Sequence, residues 1–184
     1  MNKAREEFGE KIKEGSEPDI IIKTDKTLFF IEAKLTAGNE TDPSNIGNSK
    51  NYQTGGNNWF SEVMNSDYKT VAIDEKKYEL LRFWLLGTWI AKQQDLDFYL
   101  INLVLSEREV DIETIFKTHI KENQRRKFLR TTWETIYEYI SKNPSKNTVS
   151  MMSYFKNKTL GYDGKWKIKK SIFRHLMGNM CTQN

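Results

Sequence analysis

The stretch Glu17-Pro-Asp-Ile-Ile-Ile-Lys-Thr-Asp-Lys-Thr-Leu-Phe-Phe-Ile-Glu-Ala-Lys-Leu35 reads as two apolar runs around a polar turn. Ile20 to Ile22 is β-branched, Thr24-Asp25-Lys26-Thr27 is the turn, and Leu28 to Ile31 is the second run. This is the pattern of a β-hairpin. A two-residue turn at Asp25-Lys26 pairs residues whose numbers sum to 51, so Asp19 faces Glu32. Opposed Cβ atoms lie about 4.5–5.5 Å apart. Lys34 follows Glu32 by two and shares its face. A four-residue loop gives the same register, whereas a three-residue loop needs a bulge to restore it.

Two carboxylates this close repel unless a cation lies between them. Lys34 offers one charge. A divalent ion offers more, and hard oxygen ligands suit Mg²⁺ or Mn²⁺. The plain alternative is a surface hairpin with solvated charges.

The arrangement resembles the PD-(D/E)XK nuclease superfamily. Pro18-Asp19 matches the PD element and Glu32-Ala33-Lys34 the (D/E)XK element, each in its strand–turn–strand setting. The resemblance covers about the first third of the chain. It implies an α/β, restriction-endonuclease-like central mixed sheet of about four strands flanked by helices, with a helical C-terminal part. It also implies hydrolysis of DNA phosphodiester bonds, leaving a 5′-phosphate and a 3′-hydroxyl. Asp19, Glu32 and the Ala33 carbonyl would hold Mg²⁺ (or Mn²⁺), and Lys34 would orient the attacking water or stabilise charge on the phosphoryl group. Such families draw a further acid from the first helix, which makes Glu7 the first candidate and Glu10 the second. A module on the same fold that binds nucleic acid without cutting it is the alternative. RNA in place of DNA and a homodimer both stay open.

Around the hairpin, Asn2 to Glu14 reads as a helix with Ala4, Phe8 and Ile12 on one stripe. Its acids are Glu6, Glu7, Glu10 and Glu14, which read equally well as solvent charges. Glu7 lies about 100° from Phe8 on the wheel and Glu10 about 160°. Thr36 to Asn58 is polar and rich in Gly and Asn, the length of loop that is usually functional or disordered. Within it Lys50, Tyr52 and Gln53 offer phosphate donors and a stacking ring. Lys69 to Ile73 reads as a third strand, and Asp74 caps a helix to about Gln94. The middle of that helix, Leu80 to Ala91, is apolar nearly all round, as in a core helix with room for a dimer face. Asp97 to Leu105 is a strand. Asp111 to Lys121, Arg125 to Lys142, Thr148 to Asn157 and Lys165 to Met177 read as helices.

Of 184 residues, 38% are hydrophobic and 29% charged, so one domain with a real core is expected. The reading is a single nuclease-like domain over 1–184, its core about 1–106 and its helical extension about 107–184. The net charge of +4 is uneven. From Lys146 onward there are eight Lys/Arg and one acid, +7, leaving −3 for the rest. Lys167 and Lys170, interleaved with Trp166 and Phe173, suit a polyanion; a solvated helix face explains the same run. One cysteine, Cys181, excludes an internal disulfide and fits the cytoplasm. The charged N-terminus is not a signal peptide, and no stretch is long and apolar enough to span a bilayer. His119 and His175 lack metal-ligand spacing.

Overall fold

The computed structural model describes residues 1–11, 16–35, 37–43, 49–145 and 148–158, together with four strand residues beyond. The chain divides into two compact units, Met1–Thr131 and Thr132–Asn184.

The first unit is built on a four-stranded sheet in the order β1-β2-β3-β4. The strands are β1 (Ile20–Lys23), β2 (Thr27–Ala33), β3 (Asp97–Val104) and β4 (Arg126–Thr132). β1 and β2 form the expected hairpin, with Ile20 opposite Ile31 and Lys23 opposite Leu28. Thr24 closes the turn, its N–H donating to the Thr27 carbonyl (2.8 Å) and its Oγ1 accepting from the Thr27 N–H (3.0 Å). β3 pairs parallel to β2 in a register that sets Glu32 beside Asn102. The sheet is therefore mixed, and helices flank it.

The parallel pair requires a crossover, supplied by α3 (Tyr78–Gln93). Every residue of α3 from Leu80 to Ala91 is buried. The helix is enclosed by its own chain and offers no apolar face to a second copy. Its close approach needs Gly87, where a Cβ would stand 2.1 Å from the Phe98 ring. Alternation on β2 and β3 turns Leu28, Phe30, Phe98 and Leu100 into the core. Glu32 and Asn102 continue these two rows at their C-terminal ends, which is how polar groups come to be buried there.

Several elements depart from the sequence reading. Helix α1 is Asn2–Glu7 and does not run to Glu14. Gly9 adopts a left-handed φ of 66°. Its N–H donates to the Glu6 carbonyl (3.0 Å) and that of Glu10 to Arg5 (2.8 Å), the pattern of a Schellman cap. Residues 12–15 lie outside the described residues. The expected third strand at Lys69 to Ile73 is instead a π-helical turn, Thr70–Asp74. Asp74 does not cap α3; it pairs with Lys69 (2.8 Å). In the polar run after β2, α2 spans Ser49–Val63 and is kinked at Gly55 to Asn58. α4 is Ile112–His119. The single helix expected from Arg125 to Lys142 is strand β4 followed by α5 (Trp133–Lys142).

In the second unit, the Thr132 hydroxyl caps α5 by accepting from the Thr135 N–H (3.1 Å). Tyr137 packs there with Trp133, Ile136, Ile140 and Met152. α6 (Thr148–Lys158) matches the expected short helix. β5 (Tyr162–Asp163) and β6 (Lys167–Ile168) form a small antiparallel pair, and β6 falls where the start of a basic helix was expected. The rest of Lys165 to Met177, Lys170 included, lies outside the described residues, as does the side chain of Lys167.

Candidate active site

The open end of the hairpin, the C-terminal end of β3 and the N-terminal end of α3 meet at one place. The register carries Asp19 to the position across from Glu32. The Asp19 carboxylate accepts a hydrogen bond from the Ala33 N–H (2.7 Å) and so ties the two strands together. Lys34 Nζ lies 2.6 Å from Glu32 Oε1, and its N–H donates to the Leu103 carbonyl (2.8 Å), extending the ladder past β2. Asp19, Glu32 and Lys34 are thus brought together as the sequence reading expects.

Glu32 is only 4% exposed. Its Oε2 is buried with no hydrogen-bond partner among the described residues. An unpaired carboxylate oxygen in such a place is costly and calls for a cation. The neighbourhood carries surplus negative charge, because Glu79 of α3 also reaches Lys34 (Oε2 to Nζ, 3.3 Å). Three carboxylates and one ammonium leave a formal charge of −2, which one divalent ion would neutralise. The proton affinities agree. Burial raises the Glu32 carboxyl above its ordinary range, with help from Asp19 and Glu79 and against Lys34. Burial works to lower the Lys34 ammonium, but Glu32 and Glu79 outweigh it and hold Lys34 above its ordinary value. Repulsion from Asp19 and Glu79 adds to burial at Glu32, and Glu32 and Glu79 hold the charge on Lys34. Among the described residues no three His, Cys, Asp or Glu side chains are already arranged as a metal cage. The fit rests on the two carboxylates of Asp19 and Glu32, with one Glu32 oxygen unpartnered among the described residues.

The two first-helix candidates have different surroundings. Glu7 is exposed. Glu10 is bound in a fork by Arg82 (Nε to Oε1 2.7 Å) and accepts from the Tyr52 hydroxyl (2.8 Å). Tyr52 itself is a core residue at 2% exposure, stacked on Phe8 and Tyr68. No face of its ring is open to a base, since in the kinked α2 its position turns inward. Lys50 and Gln53 are exposed.

Sequence reading missed four residues here. An α3 that starts after Asp74, as the sequence suggests, gives Glu79 no special place. The helix starts at Tyr78, where Thr41 substitutes for a cap and accepts from the Glu79 N–H (2.9 Å). The other three form a buried network behind Glu32. Asn102 donates to Glu109 Oε2 (2.9 Å) and accepts from Asn39 Nδ2 (2.8 Å), and the Asn39 N–H donates to Glu109 Oε1 (2.7 Å). An asparagine inside the apolar run Phe98 to Val104 was the available signal. Elsewhere, buried His119 joins Ser66 (2.8 Å) and Glu75 (2.9 Å) through its two ring nitrogens, a staple between loops. His175 and Cys181 lie outside the described residues. No described helix is long and apolar enough to cross a membrane.

The family model described as Restriction Endonuclease associating with ARP matches residues 2–158. No curated protein and no solved structure matches the chain.

Proposed function

Since the chain belongs to the restriction endonuclease family associating with ARP, we propose that it is a divalent-metal-dependent nuclease that hydrolyses phosphodiester bonds in DNA. The observation that carries this reading is the buried, unpartnered Glu32 Oε2 beside Asp19 and Lys34. Asp19, Glu32 and the Ala33 carbonyl would hold Mg²⁺ or Mn²⁺. Such an ion supplies Lewis acidity toward the phosphate and toward a water. Asp19 fixes the two strand ends against each other through Ala33. Lys34, held at its carboxylates, donates to a phosphate oxygen and offsets charge that develops there. Exposed Lys50 and Gln53, with Lys167 and Lys170 of the basic C-terminal part, are assigned to the DNA backbone. A reducing compartment suits a chain with one cysteine, so cytoplasmic DNA is the first substrate to test. The association with ARP named in the family description is proposed for this chain as well.

A second reading is a DNA-binding module without catalysis. The capture of Glu10 by Arg82 favours it, because the second of the two first-helix candidates is spent on structure. The deciding experiment incubates the protein with plasmid, linear and single-stranded DNA plus Mg²⁺ or Mn²⁺, with an EDTA control. The nuclease reading predicts metal-dependent cleavage that Asp19→Ala and Lys34→Ala each abolish. Binding without cleavage in every metal supports the second reading.

A further inference from the structure

Lys34 has two carboxylate partners, 2.6 Å away at Glu32 and 3.3 Å away at Glu79. Glu79 is well placed to be a fixed one. It stands in the first turn of α3, its N–H is held by Thr41, and Arg82 one turn on is anchored to Glu10 and Ser16. The Glu79 side chain is 21% exposed and that of Lys34 18%, so the pair is shielded but not sealed.

A cation that takes the Glu32 carboxylate competes with the ammonium now holding Oε1. Like charges brought together in a half-buried site repel strongly. The ammonium can stay only if another carboxylate is within reach, and Glu79 is the one that touches it. We propose that Glu79 is a positioning residue that takes the Lys34 ammonium when the Glu32 carboxylate turns to a divalent cation, so that cation and ammonium occupy the site together. This rests on Glu32 being a metal ligand, as proposed above. Glu79 is an acid contributed by the crossover helix, in a supporting role.

The test is a Mn²⁺ titration, by calorimetry or by the loss of the free-ion EPR signal. It uses wild type, Glu79→Gln, Lys34→Met and the double variant, each checked for its fold by circular dichroism. Glu79→Gln should weaken Mn²⁺ binding about tenfold in the wild-type background and by less than about twofold in Lys34→Met, since coupling between contacting residues shows in such a cycle. Cleavage by Glu79→Gln should lose kcat with KM for DNA unchanged. An equal loss in both backgrounds makes Glu79 a direct ligand and overturns the proposal. Binding that Asp19→Asn weakens while Glu79→Gln leaves it intact overturns this inference alone. No Mn²⁺ binding by wild type overturns it together with the nuclease reading.

Discussion

Glu79 and Arg82 stand three residues apart on α3 and belong to two ionic clusters of opposite character. Around Arg82 the charges close. Arg82 and Arg5 meet Glu10 and Glu17, two of each sign, and both oxygens of Glu10 are occupied by Arg82, with Tyr52 added on one. Arg82 also donates to the Ser16 carbonyl (2.6 Å) and hydroxyl (3.0 Å). Around Lys34 the charges do not close. Two acids share one ammonium, a third, Asp19, is tied to the Ala33 N–H beside them, and a buried oxygen of Glu32 has no partner among the described residues. Each cluster holds a glutamate with a buried side chain that was proposed from sequence as a metal ligand, Glu32 in one and Glu10 in the other. Saturation separates them. A charge-balanced cluster in which both oxygens of the central glutamate are bonded fixes structure, whereas one with surplus charge and an orphan carboxylate oxygen is poised for a ligand.

The sharpest way to break this contrast is to neutralise one acid in each cluster. Glu32→Gln is expected to reduce DNA cleavage by about 10³-fold or more, on the scale of losing a group that acts on the transition state. Its metal-free stability at neutral pH should hold or rise. The sign follows from burial, Asp19 and Glu79 raising the Glu32 carboxyl. An acid whose folded value is raised stabilises the fold at low pH and loses that contribution as pH climbs past its ordinary value. Gln removes the cost of ionisation.

In the closed cluster the effects should invert. Arg82→Met strands the Glu10 carboxylate and should cost about 3–5 kcal/mol in urea unfolding. The variant that remains folded should keep its activity per folded molecule. Arg82→Met with Glu10→Leu should recover much of that loss, because a buried pair replaced whole is tolerated. A comparable rise in activity loss for Arg82→Met would blur the two clusters into one.

The network behind Glu32 tests an intermediate case. Asn102→Leu leaves Glu109 and Asn39 short of partners and should cost about 1–3 kcal/mol, read by thermal unfolding, with a partial drop in cleavage as Glu32 loses its neighbour. The smallest effect is expected at Asp67. Hydrogen bonds from the Thr70 N–H (3.0 Å) and hydroxyl (2.8 Å) hold this exposed carboxylate below its ordinary 3.8. Its contribution is present above that value and is lost as pH falls through the lowered one. Asp67→Asn should flatten the acid limb of the stability curve slightly and leave cleavage unchanged.

What the sequence made legible is local. Asp19, Glu32 and Lys34 lie on one hairpin, where a period of two and the Thr24–Thr27 turn fix register within 16 residues. Glu79, Asn39, Asn102 and Glu109 are joined to it only by tertiary packing, and no periodicity announces them. The misread elements have particular causes. Thr70 to Ile73 is a short β-branched run, and such runs do not separate strand from helix by pattern. Thr132 was available as an N-cap that splits Arg125 to Lys142 into strand and helix, but the apolar residues on both sides of it masked the break. Gly9 was the stop signal for α1, two residues past its end, and reading it would have removed Glu10 from the helix.

The central claim is that the open cluster, and not the closed one, binds the cation. A Mn²⁺ titration of wild type, Glu32→Gln and Glu10→Gln tests it directly. Binding by wild type that Glu32→Gln eliminates, with Glu10→Gln retaining wild-type affinity in its folded fraction, is the expected result. Binding that survives Glu32→Gln, or that Glu10→Gln removes from a folded protein, contradicts it.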